Sequence, residues 1–381
     1  MDTKRFTRAS NGRVVRTLDG APAFAPGPLP PPVAVNWPTA KLIAEAERAT
    51  GNLAGIGRLL PDPHILIQPL ARREAVLSSR IEGTEASFSD LAVFEAAGRP
   101  DSDASDVREV SNYVRALEYG LKRLDKLPIS QRFLREVHEI LMTGVRGSTK
   151  MPGDFRAVQN WIGTPGATLA SATYVPPPVA EMHAALDAFE RYIHAPSELP
   201  TLVRVALIHY QFEAIHPFLD GNGRVGRLLI AFLLNVEHVL EQPLLYLSAY
   251  FERHRSDYYR LLLDVSMRGA WAEWIDFFLR GVIEQANDAV HRTRRLLDLT
   301  HDYRARLAGS RNLARMSSVV DDLLMNPATT VSAVAAKLRI SYPAAKKNVD
   351  KLVAERVLMP IRQAKGNVYI AQEIIDIIDA P

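Results

Sequence analysis

The 381-residue chain contains no cysteine. That absence excludes a disulfide framework, a thiolate metal site and a cysteine nucleophile, and it suits a cytoplasmic setting. A large charge of one sign is also missing. Forty-six lysines and arginines face 43 aspartates and glutamates, a formal net charge of +3, too small to point to nucleic acid by itself. Nor is there an apolar run as long as a membrane span, and Lys4, Arg5 and Arg8 are not followed by the apolar core of a signal peptide. A soluble, cytoplasmic protein that does not engage membranes is the expectation. With 47% hydrophobic and 23% charged residues, the chain is ample for two or three domains with their own cores.

Residues 216–227 read HPFLDGNGRVGR and concentrate the types that phosphate chemistry needs. Upstream, Leu202, Val205, Ala206, Ile208 and His209 recur at helical spacing; downstream, Leu228, Leu229, Ala231, Phe232 and Leu233 do the same. The stretch is therefore a helix-loop-helix corner between two buried helices. Gly221 and Gly223 let the backbone around Asn222 curl and aim its N–H groups at one point, where the next helix adds the positive end of its dipole. Arg224 and Arg227, three apart on that helix, offer planar donors to phosphate oxygens. Asp220 beside them suits a Mg²⁺ ion bridging carboxylate and polyphosphate. His216 has the chemistry of a base near neutral pH.

This string resembles the signature of the Fic (Fido) family, HPFxDGNGRxxR, at every fixed position. The resemblance implies a mainly α fold with a helical Fic core and a β-hairpin flap. It also implies transfer of AMP from ATP to a Ser, Thr or Tyr hydroxyl of a protein, the chain itself included, with release of pyrophosphate. By that likeness His216 is the general base, Asp220 holds Mg²⁺, and Gly221, Asn222, Gly223, Arg224, Val225, Gly226 and Arg227 bind the phosphates of ATP. Tyr259 matches a tyrosine that relatives keep near the nucleotide. Ser266 stands where some relatives carry a nucleotide-binding Asn, which leaves strict ATP preference open.

Ser78-Ser79-Arg80-Ile81-Glu82-Gly83 reads by composition as a helix end with an exposed glutamate and a glycine stop. It also resembles the family's inhibitory motif, (S/T)xxxE(G/N). That likeness implies that Glu82, on one helical face with Ser78 and followed by Gly83, sets its carboxylate against Arg224 and blocks productive seating of ATP.

Around these motifs, residues 1–38 include a Pro- and Ala-rich stretch at 20–38 that reads as an extended arm or a disordered tail. Helical texture begins near Thr39 and breaks at Gly51; another helix starts near Pro69 and ends at Gly83. Further helices cover Val107 to Leu124, a stretch from Ser130, and about Val179 to His194. Residues 153–163 and 172–178 pattern as a hairpin, which by resemblance is the flap that docks the target through Trp161 and Ile162, and by composition alone an ordinary surface hairpin. Beyond the corner, Trp271 to Val282 and Thr293 to Arg306 read as helix, and Gly309 and Ser310 mark a boundary. Then come helices at Met316 to Met325, Thr330 to Leu338 and Ser341 to Glu355, and strands at Val357 to Ile361 and Asn367 to Ile370, the order of a winged helix. Lys346, Lys347, Lys351, Arg362 and Lys365 suit DNA phosphates, while a protein contact is the rival use.

The expected organisation is an arm (1–38), an N-terminal helical region with the inhibitory helix (39–125), a Fic core (126–300) and a winged helix (310–381). The expected function is Mg²⁺-dependent protein adenylylation restrained by Glu82, with target proteins as partners and a homodimer left open. Two alternatives stand beside it: a transcription regulator whose core senses nucleotide, and removal of AMP by the same residues with Glu82 orienting a water.

Overall fold

The computed structural model of the protein describes residues 1–59, 64–97, 105–164, 166–309, 312–363 and 366–380. Fifteen α-helices and five short strands are present among them. The fold is mainly α with small sheets, as the resemblance implies.

A short 3-10 turn at Thr3–Arg5 precedes a hairpin. Strands β1 (Gly12–Arg16) and β2 (Pro22–Pro26) pair antiparallel, with Val14 opposite Phe24. The arm expected at 20–38 is thus partly a strand. Pro22 and Pro26 are tolerated because they stand at the strand's ends. Phe24 is buried between Phe6 and Tyr174, ring centroids 5.1 and 6.2 Å away, and its N–H donates to the Val175 carbonyl.

Helix α1 (Trp37–Leu59) continues through Gly51, where a break was expected. Ala49 and Leu53 prolong the stripe begun by Ile43 and Ala46 and bury it. That burial outweighs the roughly 1 kcal/mol a helical glycine costs. Helix α2 (His64–Ile81) begins one turn earlier than Pro69 suggests and takes the proline inside. Helices α3 (Phe88–Ala97) and α4 (Ser105–Arg123) follow, then α5 (Gln131–Met142), whose first turn is capped by Ser130 Oγ accepting from Phe133 N–H at 3.2 Å.

At the centre lie α6 (Val179–His194), α7 (Thr201–Ile215) and α8 (Asn222–Val236). Helix α7 is apolar nearly all round and buried nearly all round, the mark of a helix surrounded by others. Helices α9 (Ser248–Arg253), α10 (Arg255–Arg268) and α11 (Trp271–Arg306) close the bundle. The two stretches read as helix after the corner are one 36-residue helix, α11, which packs along α1.

The expected flap is much reduced. Residues 153–163 and 172–178 meet in one bridge, Ile162 to Tyr174. Pro176, Pro177 and Pro178 have no N–H to give a ladder, so side chains hold the segment instead. Gln159 Nε2 donates to the Pro176 carbonyl at 3.0 Å and Arg156 Nη2 to that of Pro177 at 2.5 Å.

The C-terminal elements are α12 (Leu313–Met325), β3 (Ala328–Thr329), α13 (Val331–Leu338), α14 (Tyr342–Ala354), β4 (Met359–Gln363), β5 (Gly366–Ile370) and α15 (Gln372–Asp379). The strands form an antiparallel sheet in the order β3-β5-β4. Ser310, named as a boundary, and Lys365 lie outside the described residues. Helices α12 and α15 pack on α2, and the buried Arg292 of α11 donates to the carbonyls of Ile377, Ile378 and Ala380.

Candidate active site

The site forms where α7 gives way to α8. His216 caps α7 in the left-handed region, φ 51°, its N–H bonded to the Phe212 carbonyl at 3.0 Å, and Pro217 prevents the helix from continuing. Gly221 takes φ 76°, where a Cβ would also lie 2.8 Å from Met142 Sδ. The Asn222 side chain staples the loop, accepting from Phe218 N–H and donating to the Phe218 carbonyl, both at 2.8 Å. In α8 the first intrahelical bond runs from Val225 N–H to the Gly221 carbonyl. The N–H groups of Asn222, Gly223 and Arg224 precede it and lack intrahelical acceptors, an anion-binding arrangement.

His216 Nδ1 lies 3.3 Å from the Glu213 carbonyl, so Nδ1 carries the proton and Nε2 is left as acceptor. Burial pulls the imidazole pKa down to about 4, against the pull of that carbonyl, and Arg156 pushes the same way. The ring is neutral at pH 7. Asp220 accepts from Lys150 Nζ at 2.9 Å and from Gly221 N–H at 2.7 Å, and lies 3.7 Å from Arg224. Burial works against its charge, but Lys150 and Arg224 outweigh it and hold the carboxyl below its ordinary range.

The two arginines are both buried and differently engaged. Arg224 Nη1 is 3.4 Å from Glu109 Oε2, which also accepts from Thr84 Oγ1 at 3.0 Å. Arg227 turns to α2: Nε donates to Ser78 Oγ at 2.8 Å, and Nη2 to the Ser78 carbonyl at 3.0 Å and to Glu82 Oε1 at 2.6 Å. The expectation that Glu82 faces Arg224 is therefore corrected: its partner is Arg227. The physical reason is occupancy, because Glu109 already holds Arg224. Burial opposes the charge on Glu82, yet Arg227 foremost, with Arg224, keeps its pKa low. Burial likewise opposes the charge on Arg227, and Glu82 more than restores it. Gly83 follows in the left-handed region, φ 93°. Tyr259 stands beside this pair, exposed, its hydroxyl 3.5 Å from the Ile81 carbonyl. Ser266 is buried and bonded to Tyr210 at 2.9 Å. Trp161 and Ile162 are exposed on the reduced flap; neighbouring Asn160 donates to the Phe218 carbonyl at 2.9 Å, which ties the flap to the corner.

Sequence reasoning missed several residues that shape the corner. Arg156 is fully buried and donates to the His216 carbonyl at 3.0 Å. His138 stacks on Phe218 at 3.8 Å, accepts from Gly153 N–H at Nδ1 and donates from Nε2 to the Asp220 carbonyl. Glu109, Lys150 and Glu213 complete the set. Each comes from a different stretch, and none carries a local pattern that marks it.

A neutral imidazole, an ionised carboxylate and two guanidinium groups around a helix N-terminus form an arrangement whose chemistry suits phosphate oxygens. Residues 40–122 match the Fic/DOC family N-terminal profile and residues 128–234 the Fic/DOC family profile. The chain belongs to the Fic family. It is 31% identical over 159 residues to protein adenylyltransferase Fic of Drosophila grimshawi, which covers 40% of this chain and 31% of that protein. To the Drosophila erecta protein of the same name it is 32% identical over 130 residues, 32% of this chain and 24% of that one. The match thus spans less than a third of these relatives. Among solved structures, a Fic family protein from Desulfovibrio desulfuricans G20 superposes with a TM-score of 0.59 at 19% identity, covering 90% of this chain and 98% of its own. Residues 134–508 of Caenorhabditis elegans Fic-1 give 0.53 at 18% identity, covering 67% and 74%. At these identities the likeness is one of fold.

Proposed function

We propose that the protein transfers AMP from ATP to Ser, Thr or Tyr hydroxyls of proteins, itself included, and that Glu82 restrains the reaction. One observation carries this reading above the others: the uncharged His216, its Nε2 unblocked, shares the corner with an anion cradle whose Arg227 is held by Glu82 at 2.6 Å.

In the proposed reaction the phosphates of ATP lie on the N–H groups of Asn222, Gly223 and Arg224, with Val225 and Gly226 forming the wall behind them. His216 Nε2 takes the proton from the attacking hydroxyl. The hydroxyl oxygen bonds to the α-phosphorus as the bond from that phosphorus to the bridging oxygen breaks, and pyrophosphate leaves with the electron pair. Arg227 serves the terminal phosphate once Glu82 lets it go. Asp220 is the residue that would hold Mg²⁺, and Lys150 Nζ at 2.9 Å supports a cation position there. That ion would neutralise charge on the phosphates and the departing pyrophosphate. Trp161 and Ile162 would receive the target segment.

We further read residues 310–381 as a winged helix, on the order of α13, α14, β4 and β5 and the three-stranded sheet. Lys346 pairs with Asp350, and Lys351 with Glu355 at 2.5 Å, on their own helix. Those pairings favour a protein contact over DNA phosphates. The reading as a whole is tested by the fate of ATP labelled at the α or the γ phosphate. Protein should acquire α-label, only with divalent metal present, and no γ-label; γ-label on protein overturns it.

A further inference from the structure

Two glycines on one face of α8 each leave room for a carboxyl group from a neighbouring helix. A Cβ on Gly223 would fall 2.3 Å from Glu82 Oε1 and 2.9 Å from Arg227 Nη1; a Cβ on Gly226 would fall 2.3 Å from Glu213 Oε1. Successive turns of the same helix thus admit Glu82, one residue past the end of α2, and Glu213 from α7 to the surroundings of Arg227. Glu82 uses the opening to bond Nη2. Glu213 does not bond: its Oε1 is buried and has no hydrogen-bond partner, and neither has Arg227 Nη1. A buried carboxyl oxygen and a buried guanidinium N–H are each costly to leave unpaired.

We propose that Glu213 is a positioning residue that competes for Arg227 when Glu82 withdraws, so that losing the first carboxylate frees the arginine for phosphate only in part. This rests on the reading of Arg227 as a ligand of the terminal phosphate. The groups facing Glu213 are Arg227 on α8, Glu82 just past the end of α2 and Tyr258 on α10. Burial and the Glu82 charge raise its pKa to about 8 against the pull of Arg227. With Glu82 in place Glu213 is therefore largely neutral at pH 7 and makes no ion pair. Removal of Glu82 takes away a repelling charge and leaves Arg227 undivided, which lowers the Glu213 pKa and ionises it. ATP then competes with Glu213, and its affinity falls as pH rises through the new pKa.

The test compares wild type, Glu82→Gly, Glu213→Gln and the double variant. Affinity for α,β-methylene ATP with Mg²⁺ is measured from pH 5 to pH 9. Glu82→Gly/Glu213→Gln should bind roughly tenfold tighter than Glu82→Gly at pH 8, the size of one charge-assisted contact, with the gap closing towards pH 5. Infrared spectra with ¹³C-labelled glutamate supply a readout that needs no nucleotide. Because burial also pushes up the Glu74 carboxyl, the Glu213 signal is the protonated-carboxyl band present in wild type at pH 7 and absent from Glu213→Gln, and it should vanish in Glu82→Gly. Equal affinities of the two glycine variants across the range, or persistence of that band in Glu82→Gly, overturns the proposal. Transfer of α-label by Glu82→Gly reports separately on the underlying reading, so AMP transfer with equal affinities removes Glu213 alone.

Discussion

At the scale of single residues, burial decides what His216 can do. A histidine with a pKa of about 4 is unprotonated throughout the physiological range, and its basic form is lost only as pH falls through that value. The acid limb of the transfer rate should accordingly lie well below the ordinary histidine value of about 6.5. A limb centred at 6.5 in a pH profile would remove burial as the controlling effect. His216→Ala should abolish transfer while ATP affinity, by calorimetry, stays within a few-fold of wild type, because the phosphate donors remain. Asp220→Ala should cut transfer by two orders of magnitude or so; full activity in that variant excludes the aspartate from the reaction. These residues were legible because twelve consecutive positions carry them. Glu109, His138 and Arg156 were not, since α4, α5 and the flap deliver them separately, and only folding shows that Glu109 had already taken Arg224.

At the scale of elements, α2 works as a rod with a functional tip. Glu74, Ser78 and Glu82 follow at four-residue steps and share one face. Glu74 is buried and bonded to Tyr113 at 2.9 Å and to Ser248 Oγ at 2.5 Å, which anchors the shaft. Ser78 and Glu82 then meet Arg227. Ser78→Ala leaves Arg227 Nε without its acceptor and should destabilise the fold by about 1–3 kcal/mol in a urea titration. Transfer should rise less than in Glu82→Gly, because the ion pair survives; a larger rise would make Ser78 the principal restraint. Helix periods revealed α2, α4, α5 and α6 to within a turn or so. The sequence misled where burial overrode a local breaker, at Gly51, and where prolines at 176–178 forbade the ladder that alternation suggested.

At the scale of the whole molecule, the C-terminal unit lies against the back of α2, the helix whose tip enters the site. Arg292 is a buried polar fastener, salt-bridged to Asp288 and donating to the carbonyls of Ile377 and Ala380 at the end of α15, beside the partly exposed pairing of Arg306 with Glu373. Arg292→Ala should loosen that unit at a cost of about 3 kcal/mol, seen as faster protease cleavage between α11 and α12; unchanged cleavage would show that apolar contact alone holds it. The central claim joins chemistry to restraint and is best tested by one labelling experiment on Glu82→Gly with ATP labelled at the α phosphate. The account predicts self-modification well above wild type, silenced when His216→Ala is added. A folded Glu82→Gly protein that labels neither itself nor a cell lysate more than wild type does, or labelling that survives loss of His216, would contradict it.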